Sequence, residues 1–94
     1  METITKIINE WDPIGFFPMA PKNEYVIEIE KIHEYILKNQ NLKTRTLAEV
    51  INKIFVQAFG ADVYDENIDQ CILVAEKILK NEKDSGRAYD NYRA

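Results

Sequence analysis

His33 and Cys71 are the chain's one imidazole and one thiol, so their surroundings decide which reactions are open to it. His33 follows Glu30 by three residues on a helical stretch. A Glu-x-x-His pair on one helix face is half of a di-iron carboxylate site, whose other half needs a second such pair and further carboxylates. With a single histidine that second half cannot be supplied, and His33 is expected at the edge of the core with an ordinary hydrogen bond. A nucleophilic Cys71 would need a nearby base and positive surroundings. It lies instead in the most apolar segment of the chain, where a free cysteine behaves as a small hydrophobe. Acidic side chains are plentiful, but abundance is not pairing. Glu24, Glu28, Glu30 and Glu34 read as the solvated face of a helix. Asp62, Asp65, Glu66 and Asp69 lack the ligand order, central Gly and closing Glu of a calcium loop. Gly15, Gly60 and Gly86, the only glycines, form no phosphate cradle. The residues therefore predict no enzyme, no metal and no cofactor.

The most unusual stretch runs from Trp11 to Pro21. Asp12-Pro13-Ile14-Gly15 has the residue order of a type I turn, with Asp at i, Pro at i+1 and Gly at i+3. Pro18 and Pro21 are expected to keep the following loop extended. Phe16, Phe17 and Met19 lie in it, and two placements are open to them. Folded inward, they add aromatic area that a small core needs. Left outside, they form an apolar anchor beside the acidic second helix, the composition of an interaction surface.

Around this loop the apolar periodicity predicts four helices and no strand. Ile4, Ile7, Ile8 and Trp11 recur at i, i+3, i+4 and i+7, marking a short helix over residues 3 to 10. The second helix is expected from Pro21 or Glu24 to Asn39, with Tyr25, Ile29, Ile32 and Ile36 as its seam. Thr46-Leu47-Ala48-Glu49 has the form of a capping box opening the third. Its apolar set runs from Leu47 through Phe59, and Gly60 stands where a left-handed residue ends a helix. The fourth is expected from Asp65–Asn67 to about Lys80, with Ile68, Cys71, Ile72, Ala75, Ile78 and Leu79 inward. Short links between amphipathic helices make a small all-α bundle. Residues 1–80 form one domain, and 81–94 a polar tail, broken at Gly86, whose order stays open although Tyr89 and Tyr92 offer docking groups.

Bulk properties fit that frame. The 94 residues are 46% hydrophobic and 30% charged, enough for one core with a solvated exterior. The net charge of −4, with no basic cluster, argues against nucleic acid, whose binding depends on Lys and Arg against phosphate. A basic protein partner is easier to attract. No apolar run approaches membrane-spanning length and no apolar leader opens the chain, so a cytoplasmic setting without membrane contact is expected.

The run Ile8-Asn9-Glu10-Trp11-Asp12-Pro13-Ile14-Gly15, followed by Ala20-Pro21 and Glu24-Tyr25 with Glu28-Ile29, resembles the YugE-like family of small uncharacterised proteins from Gram-positive bacteria. Phe55, Phe59-Gly60, Cys71 and Ala75-Glu76-Lys77-Ile78-Leu79 extend the likeness. The resemblance implies a helical domain and carries no activity, cofactor or catalytic residue with it. A related pattern occurs in small acidic proteins similar to immunity proteins of bacterial toxin systems, although this chain has Asn23 and Val26 where Asp is common. The function expected is a non-catalytic protein-interaction module, adaptor or immunity-like, with Phe16, Phe17, Met19, Glu24 and Glu28 as its partner surface. The alternatives are a homo-oligomeric structural protein and, more remotely, a metal or small-molecule binder using His33 and Glu30.

Overall fold

The computed structural model describes the backbone of residues 2–93 and the side chains of residues 2–81. It contains four helices, α1 (Glu2–Trp11), α2 (Val26–Lys38), α3 (Thr44–Phe59) and α4 (Ile68–Arg93), with no strand among the described residues. The all-α bundle expected from periodicity is the fold observed. Each helix packs on the next in sequence and α4 returns to α1, so the bundle closes as a ring.

The stripes meet as their spacing requires. Ile4, Ile7 and Ile8 of α1 face Ile29 and Ile32 of α2, Leu47, Ile51, Ile54 and Phe55 of α3, and Cys71, Val74, Ala75 and Ile78 of α4 in one core. Each large aliphatic side chain taken fully out of water contributes about 1.5–3 kcal/mol. α1, at 10 residues, is too short to hold its shape unaided. Its stability comes from docking, and Trp11 secures its end with an edge-on contact to Phe55 across the ring (centroids 5.2 Å apart).

Several boundaries depart from the sequence expectation. α2 begins at Val26 rather than near Pro21, because residues 22–25 are occupied by turns that deliver Tyr25 to the interior. The capping box at Thr46 does not form. α3 starts at Thr44, its N-cap is Lys43 with no side-chain cap, and the Leu47 amide already donates to the Lys43 carbonyl at 3.1 Å. Asn41, at φ +60°, turns the chain, and Leu42 packs against the core, so the helix entry is set three residues early. Gly60 does end α3 at φ +81°, donating to the Val56 carbonyl at 2.8 Å, with ψ at 155° rather than in the compact left-handed cap. Asn67 caps α4 by accepting the Gln70 amide on Oδ1 at 3.1 Å. α4 does not stop near Lys80: its backbone stays helical through Gly86 to Arg93. A glycine costs a helix only about 1 kcal/mol relative to Ala, too little on its own to end α4. The side chains of Tyr89 and Tyr92, expected to dock, lie outside the described residues.

Candidate partner-binding site

The loop after α1 is organised by one carboxylate. Asp12 takes φ +46° at the end of α1, a conformation that Asp tolerates better than most residues. Its carbonyl accepts the Gly15 amide at 3.1 Å, closing the Asp-Pro-x-Gly reversal expected from the sequence. Its Oδ1 accepts the Phe16 amide at 2.9 Å and its Oδ2 the Phe17 amide at 3.1 Å. The Tyr25 hydroxyl donates to the same Oδ1 at 2.6 Å and accepts the Ile14 amide at 3.0 Å. Burial works to raise the Asp12 carboxyl, but the bonds from Tyr25, Phe17 and Phe16 outweigh it and hold the group below its ordinary value. Burial and the bond to Asp12 push the Tyr25 hydroxyl far above its ordinary value, so it remains a donor.

These bonds curl the loop. With two amides drawn onto Asp12, the Phe16 carbonyl accepts the Ala20 amide at 2.9 Å, and residues 17–20 form turns instead of the extended run expected from Pro18 and Pro21. The Phe17–Pro18 peptide is cis.

The five residues expected to form a partner surface separate. Phe16 and Phe17 are half-buried and pack on Tyr25, with ring centroids 5.4 and 5.9 Å away; Phe16 also meets Phe59 at 6.0 Å. Of the two placements open to these aromatics, the inward one holds. Met19, by contrast, is 93% exposed. Glu24 is half-buried, and Glu28 is buried at 6% exposure with Oε1 lacking any hydrogen-bond partner. The solvated acidic face is therefore wrong for Glu28. Tyr25, Glu28, Ile29 and Ile32 follow i, i+3, i+4, i+7, so Glu28 rides the inward stripe while Glu30 and Glu34 stay exposed.

A cavity of about 390 Å³ opens beside this loop. Lys6, Asn9 and Glu10, at i, i+3 and i+4 on α1, form one wall, and Phe17, Pro18, Ala20 and Lys22 form the other. Asn9 Nδ2 donates to the Lys22 carbonyl at 3.4 Å, while Asn9 Oδ1 is buried without a partner. Neither Lys6 nor Lys22 stood out in the sequence, and Asn9 entered only within the run that carries the family resemblance. The i, i+3, i+4 spacing of the α1 trio was the available signal, and a facing loop cannot be read from one helix.

The other polar cluster is internal. Tyr64, buried, donates to Asn52 Oδ1 at 2.8 Å, leaving its oxygen to receive the Cys71 thiol at 3.2 Å. Asn52 in turn donates to Glu66 Oε1 at 3.0 Å. Burial pushes the Cys71 thiol up, away from the thiolate. The buried cysteine expected from the sequence is thus one end of a hydrogen-bonded chain. His33 is half-buried on α2, and among the described residues no three His, Cys, Asp or Glu side chains gather as a cation site would need. No described helix is long and apolar enough to cross a membrane.

From residue 3 to residue 87 the sequence matches the family model described as Domain of unknown function (DUF1871). The chain belongs to that family. No curated protein and no solved structure matches it. As a DUF1871 domain it belongs to a family whose function is described as unknown.

Proposed function

We propose that this DUF1871 domain is a non-catalytic protein-interaction module that meets its partner through the Pro18–Met19 turn and the neighbouring cavity. One observation carries this role: a large apolar side chain, Met19, stands 93% exposed on a loop whose base is fastened by five hydrogen bonds through Asp12 and Tyr25. A rigid turn loses little conformational freedom on binding, and Met is an adaptable contact residue common at protein interfaces. The adaptor or immunity-like role, and kinship with the YugE-like proteins of Gram-positive bacteria, belong to the same proposal. A basic partner, expected from the net charge of −4, belongs to the same proposal, although the second helix adds little to it, since Glu28 is buried and Lys31 and Lys38 share the exposed face with Glu30 and Glu34.

A photo-crosslinking residue placed at Met19, expressed in the source organism, tests this role. A discrete crosslinked protein, absent when the crosslinker sits at exposed Lys53 of α3, is the expected result. Equal, diffuse products from both positions would remove it. Self-association through α4 is the second possibility, favoured by Leu73, an apolar side chain 51% exposed on the outer face of that helix. A monomer mass independent of concentration would exclude that alternative.

A further inference from the structure

Resting on the interaction role above, we infer that the cavity between α1 and residues 17–22 receives the C-terminal residue of a partner protein, an apolar side chain carrying a free carboxylate. Its volume, about 390 Å³, lies near the bottom of the roughly 300–1,000 Å³ range of ligand pockets. That suits one terminal residue better than a long segment. The walls divide by chemistry. Phe17, Pro18 and Ala20 supply apolar surface, whereas Lys6 and Lys22 supply cations against the single carboxylate of Glu10. Two positive charges less one negative leave the pocket at +1, in a chain whose net charge is −4. The local field thus favours an anion exactly where the rest of the molecule repels one.

An apolar group with an anion at one end is what a peptide terminus presents, and capture of a C-terminal carboxylate is a recurring mode of recognition. Lysine suits the task because its long stem follows the ligand while its ammonium stays hydrated at the rim. The cavity is also preformed. Asn9 ties Lys22 to α1 through its carbonyl, and Asp12 fixes the Phe16 and Phe17 amides, so little ordering accompanies binding.

The test titrates the ¹⁵N-labelled full chain with the peptide Gly-Ser-Gly-Ser-Leu, as the free acid and as the C-terminal amide, and with N-acetyl-leucine. The free-acid peptide should shift the amides of Lys6–Glu10 and of Phe17–Lys22, and amidation should weaken binding about ten-fold. Lys6→Glu and Lys22→Glu alter exposed side chains and should each weaken the acid but leave the amide unchanged. Ala20→Trp should fill the cavity and abolish both, with the spectrum itself reporting that the fold persists. Equal affinity for acid and amide, or no shift in these segments at millimolar peptide, would overturn the inference. Binding of N-acetyl-leucine but not of the peptide would overturn it in favour of a free small acid. Crosslinking from Met19 is read separately, so loss of the pocket leaves the interaction role standing.

Discussion

The Tyr25 hydroxyl reaches back thirteen residues to donate to Asp12 Oδ1 at 2.6 Å, joining the first residue after α1 to the last before α2. The phenol is fully buried, with Phe16, Phe17, Phe55 and Phe59 around its ring. A single side chain thereby sets both the polar closure and the aromatic centre of the loop.

Tyr25→Phe keeps the ring and deletes the bond. The Ile14 amide and one Asp12 lone pair then lose their partner in a partly buried setting, at a cost of about 1–3 kcal/mol. Urea unfolding followed by far-UV circular dichroism should show a lower midpoint with an unchanged slope. An unchanged midpoint would mean that water replaces the hydroxyl without loss.

Acid should loosen the same closure. The folded-state value of Asp12 lies below its unfolded value, so the unfolded chain binds the extra proton. The contribution of Asp12 is therefore complete above the ordinary carboxylate value of about 4 and fades as pH falls through the lower folded-state value. The stability difference between wild type and Asp12→Asn should be largest at neutral pH and shrink on acidification. A difference that stays constant down to the acid limit would contradict the assignment.

Glu28 should be worth more as a hydrocarbon. Its Oε1 is buried without a donor, and leaving such an atom unpaired costs about 1–3 kcal/mol. Glu28→Met conserves length and volume, so the thermal midpoint should rise by several degrees, in line with a gain of about 1 kcal/mol in a domain this size. A fall would mean that the carboxylate holds something the substitution releases.

The Tyr64 chain should behave as a unit. Tyr64→Phe and Asn52→Ala each break the Tyr64–Asn52 bond, so the double variant should lose less than the sum, by a coupling of about 0.5–3 kcal/mol. Simple additivity would show the bond contributes nothing. The Cys71 thiol, fully buried, should react with a disulfide reagent more slowly than in urea-unfolded chain, by a factor on the order of 100.

The helices were legible in the sequence because their stripes are strong, whereas the connections were not. The i, i+3, i+4, i+7 pattern of Ile4, Ile7, Ile8 and Trp11 specifies a buried face whatever lies opposite. The start of α3 was missed because Thr46 and Glu49 satisfy a local rule that Leu42, packing on the core from further back, overrides. Glu28 defies its charge: it lies only two positions from Glu30, yet that step turns about 200° around a helix. The cavity is the least legible feature, since Lys6 and Lys22 come to line one pocket only after Asp12 and Tyr25 have folded the chain between them.

The ring arrangement of the helices bears on how the molecule assembles. Two of its seams, α2·α3 and α3·α4, join consecutive helices across the short connections 39–43 and 60–67, whereas α1·α2 closes over the longer loop 12–25. The fourth, α1·α4, joins segments separated by most of the chain, and the entropy of closing a loop grows with its length. A core of α2, α3 and α4 can consolidate locally, leaving the docking of α1 as the slow, topologically distant event. Amide exchange should then find α1 to be the first unit to detach and the last to return, carrying with it one wall of the cavity.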